Sequence, residues 1–165
     1  MKHKDEVYFY VHGINGADLK AEARSDGFIV DHTPPIMTEI CDNQVGSRYQ
    51  ADKSTLNLKW DFLDSESGIE KYRTMIYENR HGIKQKHWPA NERYNETKPS
   101  NSFNGKMERA LGDLNMEDGG IYFLHITAFD GALLATAHES SGVTIDTTQP
   151  SEPTVIHSKM FTKYF

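Results

Sequence analysis

Residues 7–35 read VYFYVHGINGADLKAEARSDGFIVDHTPP, and residues 122–150 read YFLHITAFDGALLATAHESSGVTIDTTQP. The two stretches align without a gap at an offset of 115. Gly16/Gly131, Ala17/Ala132, Leu19/Leu134, Ser25/Ser140, Gly27/Gly142, Asp31/Asp146, Thr33/Thr148 and Pro35/Pro150 are identical. A repeat at this spacing is about the length of one β-sandwich domain, ~100 residues. The expected organisation is therefore the C-terminal strand pair of an upstream repeat at 1–31 and a complete module at 32–150. A linker and the start of a following repeat are expected at 151–165.

The pattern between the two copies is that of strands. Leu56, Leu58, Trp60 and Phe62 alternate with Asn57, Lys59 and Asp61, the two-residue period of a half-buried strand. Tyr72, Thr74 and Ile76 continue it, as do Tyr122, Leu124, Ile126 and Ala128, then Val143 and Ile145. Turn signals separate them at Ser67-Gly68, Asn104-Gly105, Gly119-Gly120, Asp130-Gly131 and Ser141-Gly142. No helical period appears. A short strand is expected at 83–88, then a long loop carrying Pro89 and Pro99. The fold class that follows is an all-β sandwich of about seven strands, preceded by a partial β-hairpin. Val7, Phe9 and Val11 give that hairpin an apolar face, and a lone hairpin is marginal in water. It is expected to be at most weakly attached to the sandwich.

The order of these elements resembles a fibronectin type III-like or immunoglobulin-like module. Trp60 stands late in the second strand, Tyr72 lies in the third, Leu111 and Leu114 precede a turn, and Tyr122 opens the sixth. The phrase from Leu114 to Pro150 is similar to tandem repeats of large extracellular proteins and to the Asp-Thr-Thr-x-Pro exits of bacterial adhesin modules. The resemblance implies a non-enzymatic role in adhesion, spacing or ligand presentation. It also implies an extracellular or cell-surface location, with protein or glycan ligands and neighbouring repeats as partners. The alternative is an accessory carbohydrate-binding or positioning module of a secreted enzyme. A concave strip of exposed aromatics would favour that alternative.

Charge and composition narrow the classes. A net charge of −6 gives no electrostatic footprint for nucleic acid. No stretch approaches the ~20 apolar residues of a membrane span, and no secretory signal is visible. The single cysteine, Cys41, excludes an intramolecular disulfide and reads as a core or edge residue. His12-Gly13 resembles the oxyanion segment of α/β-hydrolases, but such enzymes need a Gly-x-Ser-x-Gly elbow, which the sequence lacks. The second copy of the segment also lacks the histidine, so no catalytic residue is assigned. His125 is expected on the outward face of its strand.

Asp31 and Asp146 close their strands in Asp-x-Thr-x-Pro exits, which read as capped turns between modules. Asp61, Asp64, Ser65 and Glu66 cluster beside the turn after Trp60, and a solvated acidic loop is expected there. No motif calls for a cofactor. Were calcium bound, Asp64, Glu66, Asp130 and Asp146 would be its ligands, although no D-x-D-x-D-G spacing occurs. Trp88 and Tyr94 in the long loop are the candidate binding residues. For Trp88 the competing expectation is a cap on the sheet edge. Asn95-Glu96-Thr97 is a candidate glycosylation sequon.

Overall fold

The computed structural model describes residues 1–42 and 47–153, and within them every regular element is a strand. In chain order these are β1 (Glu6–Val7), β2 (Tyr10–Ile14), β3 (Lys20–Arg24), β4 (Phe28–Ile29), β5 (Ile36–Cys41), β6 (Tyr49–Gln50) and β7 (Leu56–Leu63). They continue with β8 (Ile69–Arg80), β9 (Ile83–Trp88), β10 (Asn95–Thr97), β11 (Met107–Leu111), β12 (Ile121–Asp130), β13 (Ala135–Glu139) and β14 (Val143–Ile145). Most of the expected start of a following repeat lies outside the described residues.

Two sheets form the sandwich. One has the order β11-β7-β5. The other is centred on β8 and β12, with β9 and β10 on the outer side of β8 and β13 and β14 beyond β12. The short β6 lies parallel against β14. Side chains of a strand alternate between faces, so the apolar positions of β7 and β12 all reach one interior. Leu56, Leu58, Trp60 and Phe62 from β7 are buried there, facing Tyr122, Leu124, Ile126 and Ala128 from β12. Tyr72 of β8 stands between the sheets, with ring centroids 5.7 Å from Trp60 and 5.8 Å from Phe62. Its hydroxyl donates to the Gly105 carbonyl at 2.5 Å.

The same alternation carries polar groups inward, and each of these depends on what it meets. Glu78 of β8 faces the interior and accepts from the Tyr122 hydroxyl at 2.9 Å. That hydroxyl in turn accepts from the Glu117 amide at 2.8 Å, which ties the start of β12 to the turn before it. Asp42, just after β5, accepts from Ser140 Oγ at 2.5 Å and from the Gly142 amide at 2.8 Å. This buried carboxylate pins one sheet to the other where β13 passes into β14. His125 points outward, as expected, with its ring edge-on to Tyr77.

The strand at 83–88 forms where it is expected, but the stretch after it is not a continuous loop. Asn95, Glu96 and Thr97 pair with Thr74, Arg73 and Tyr72 and make β10. Three residues with no apolar alternation carry too little pattern to announce a strand; the free edge of β8 supplies the order.

The two copies of the repeated segment have one hydrogen-bonding scheme. β2 pairs with β3 from Tyr10↔Arg24 to Ile14↔Lys20, and β12 pairs with β13 from His125↔Glu139 to Phe129↔Ala135. Every pair is displaced by the same 115 residues as the sequences. β1 with β4 repeats β12 with β14 in the same way. Gly27 and Gly142 have φ of 88° and 86°. A Cβ at either glycine would strike an aromatic ring, that of Tyr8 in one copy and of Phe123 in the other. Both the left-handed backbone and the ring beneath it explain why glycine stands at this point in both copies. The difference lies in what covers the inner face. Leu124 and Ile126 are fully buried, whereas their counterparts Phe9 and Val11 are each 65% exposed. Among the described residues, β1 to β4 pair only with one another.

The register of the sandwich rests on the burial of Trp60 between the sheets. Trp60→Ala is expected to cost about 3–5 kcal/mol, the usual cost of deleting a buried aromatic side chain. Urea unfolding at equilibrium measures this, and an unchanged midpoint would contradict the packing described.

Candidate functional site

The turn joining β7 to β8 gathers acidic side chains from three parts of the chain. Asp64 begins it. Its Oδ1 accepts from the amides of Glu66, Ser67 and Gly68 at 3.2, 2.8 and 2.8 Å, which closes the turn around the carboxylate. Asp130 ends β12, and the inward phase of that strand buries it completely. Its Oδ1 accepts from the Leu134 amide at 2.8 Å. The β12–β13 turn is drawn down onto the β7–β8 turn by the bond from the Gly131 amide to the Gly68 carbonyl, 3.0 Å. Only glycine permits that approach at residue 131, since a Cβ would lie 2.9 Å from the Ser67 carbonyl oxygen. Asp31 arrives from the upstream segment. Its Oδ1 caps Thr33, and its Oδ2 accepts from Ser67 Oγ at 2.6 Å.

One ligand atom from each of Asp31, Asp64 and Glu66 lies within 4.8 Å of the others. The Asp31 side chain has no exposed surface and that of Glu66 is 10% exposed. The expected solvated acidic loop is thus corrected: the carboxylates are packed under the upstream segment. Lys4 Nζ stands 2.7 Å from Glu66, and the His3 ring lies 4.0 Å from Asp31 and 3.8 Å from Glu66. Asp64 Oδ2 and Asp130 Oδ2 are buried and have no hydrogen-bond partner.

Electrostatics separate these groups. Burial pushes the Asp130 carboxyl above its ordinary value, and the charges of Asp31 and Asp64 push it further. Burial also raises Asp31, but the bonds from Ser67 and Thr33 outweigh it and leave that carboxyl lowered. Glu66 is lowered chiefly by the hydrogen bond from Lys4.

Asp146 is not part of this cluster. It caps Thr148 through Oδ1 at 3.0 Å and follows β14, which pairs with the Ile121 end of β12. Asp130 is nine residues along that strand, about 30 Å away at ~3.3 Å per residue. Its place is taken by Asp31, its counterpart at the offset of 115. That equivalence was the available sequence signal. The capped turns expected at both aspartates are present.

The other candidates do not converge. Trp88 packs against the edge of the core with the Arg109 guanidinium over its ring, as the edge-cap expectation has it. Tyr94 is half-buried, with the Arg73 guanidinium 4.3 Å from its ring centroid. Each is half-buried with a guanidinium over its ring. Asn95 lies in β10 rather than in a loop, and its Oδ1 accepts from Arg109 at 2.6 Å. His12 is exposed on β2 beside Glu22, at 3.1 Å. Cys41 is half-buried at the end of β5. Within the sandwich the exposed aromatics are Tyr49 and Phe103, which stand at opposite ends, one beside Thr144 and the other beside the turn at Ile69. Among the described residues of the sandwich these two do not form an aromatic strip; in the upstream segment Phe9, Tyr10 and Phe28 are exposed.

No protein-family model matches the chain, and no curated protein matches it.

The acidic cluster makes stability depend on pH in opposite senses. Asp130, with its carboxyl raised in the folded state, stabilises the fold at low pH and loses that contribution as pH rises through its folded value. Asp31 and Glu66, both lowered, contribute at neutral pH and lose it as pH falls. His3, Lys4 and Asp64 are the other titratable groups that face the cluster. Asp130→Asn keeps the acceptor for Leu134 and removes a buried charge. In chelator at pH 7 it is expected to be more stable than the parent by ~1 kcal/mol, about the worth of one hydrogen bond. The gap should narrow toward pH 4. Urea unfolding across this range checks it, and a destabilised variant at pH 7 would contradict it.

Proposed function

We propose that the chain is a non-enzymatic repeat module of the fibronectin type III-like or immunoglobulin-like kind, acting as a spacer or in adhesion or ligand presentation. An extracellular or cell-surface setting goes with that class. The observation that carries the reading is the shared register of β1–β4 and β12–β14. In this reading residues 1–31 are the closing strands of an upstream module, and their exposed inner face belongs under strands equivalent to β5, β7 and β11. The sheet orders, three strands against a sheet centred on β8 and β12, support the module type. The hydroxyl of Tyr122, bonded back to the turn before its strand, supports it as well. Partners of the module would be its neighbours in the array and protein or glycan ligands on a surface or matrix.

Fusing a second copy of residues 32–116 ahead of residue 2 continues the register and supplies the missing strands. Hydrogen exchange at the β2–β3 amides is then expected to slow by at least about 100-fold, as local opening gives way to global unfolding. Unchanged exchange, with the added copy folded, would overturn the reading.

A further inference from the structure

Two carboxylate oxygens, Asp64 Oδ2 and Asp130 Oδ2, are sealed from solvent without a hydrogen-bond donor. They belong to residues 7% and 0% exposed. Asp64 stands in the group with Asp31 and Glu66, and Asp130 is brought beside their turn by the bond from the Gly131 amide to the Gly68 carbonyl. Buried carboxylates are ordinarily hydrogen-bonded, paired, or bound to a metal. Here the turn amides, the Leu134 amide and Ser67 Oγ engage one oxygen of each aspartate, and the second oxygens of Asp64 and Asp130 are left over. Among the described residues the lysine at the cluster is Lys4, and its side chain is 63% exposed, so it can swing away.

We propose that Asp31, Asp64, Glu66 and Asp130 form a calcium site that clamps residues 1–31 onto the sandwich. Oxygens on opposite sides of a calcium ion stand about 4.6–5.2 Å apart, given bonds of 2.3–2.6 Å. The ligand atoms of Asp31, Asp64 and Glu66, all within 4.8 Å of one another, fit around one such ion without moving far. Magnesium demands near-ideal octahedral geometry, gives up its water reluctantly and is usually held by one or two carboxylates, so a covered group of four carboxylates favours calcium. Four carboxylates, mono- or bidentate, supply at least four of the six to eight oxygens calcium takes, with water for the rest. Against four carboxylates a dication offsets two negative charges, where Lys4 offsets one. Because Asp31 sits at the end of the upstream segment while Asp64, Glu66 and Asp130 belong to the sandwich, the ion would bridge the two. The site stands on its own geometry, and the role as a clamp between modules rests on the repeat reading above.

The test is calcium titration of the full chain after chelator treatment, followed by calorimetric binding and by thermal unfolding. The expected result is saturable binding at one site and a rise in Tm of roughly 5 °C at calcium about a hundredfold above Kd. Lys4→Ala should tighten binding several-fold. Asp130→Asn and Asp31→Asn should each abolish the Tm shift, and their Tm in chelator shows that they fold. Proteolysis near residues 32–35 should slow on adding calcium. No binding at millimolar calcium, or a shift that survives both substitutions, would overturn the site. Binding that leaves proteolysis unchanged would overturn the clamp. Magnesium giving the larger shift would overturn the choice of ion. None of these readings depends on whether residues 1–31 are a repeat, which the fused chain tests separately.

Discussion

The two-residue period of β12 is the constraint on which the rest depends. The strand is bonded to β8 along its length and to β13 and β14 on its other side, so no residue of it can turn over without breaking a ladder. Tyr122, Leu124, Ile126 and Ala128 are therefore committed to the interior, and so is Asp130. The first four fill the space opposite β7. The fifth carries a carboxylate to the mouth of the sandwich at its upstream end. Hydrophobic burial and the acidic cluster are consequences of one register.

That register also sets how the ends are built. At the Ile121 end, the Tyr122 hydroxyl and Asp118 hold the turn before β12 and the chain after β14. At the Asp130 end, glycines at 68 and 131 bring two turns into backbone contact, and the chain arriving from Asp31 closes over them. The offset of 115 maps one end onto the other: Asp31 enters the mouth of this sandwich, and Asp146 leaves from its far end with the same cap on its threonine. A chain of such units would present one carboxylate forward from each module to the acidic mouth of the next.

Much of this was legible in the sequence. The apolar alternation of β7 and β12 gave the all-β fold and the inward faces. The span 83–88 also appears as a strand in the structure. What escaped has particular causes. β10 has no pattern of its own and is ordered by the edge of β8. Glu78, Asp42 and Asp130 are polar residues at inward positions, and pattern alone does not say which polar residue is satisfied inside. Asp146 is expected beside Asp64, Glu66 and Asp130; in space it is Asp31, its counterpart at the offset of 115, that joins Asp64 and Glu66. Nor does spacing along the chain reveal that the turn after Phe62 is covered, since the cover comes from residues 3, 4 and 31.

The Asp130 carboxylate is held away from solvent with one oxygen unpartnered, and its charge is what a bound ion would meet. Carboxyl-carbon NMR titration reads that charge directly, in chelator and in saturating calcium. The prediction is that Asp130 titrates above the ordinary aspartate range of ~3.9 without calcium and remains ionised well below it with calcium. An Asp130 that titrates at the ordinary value in both conditions would contradict the account.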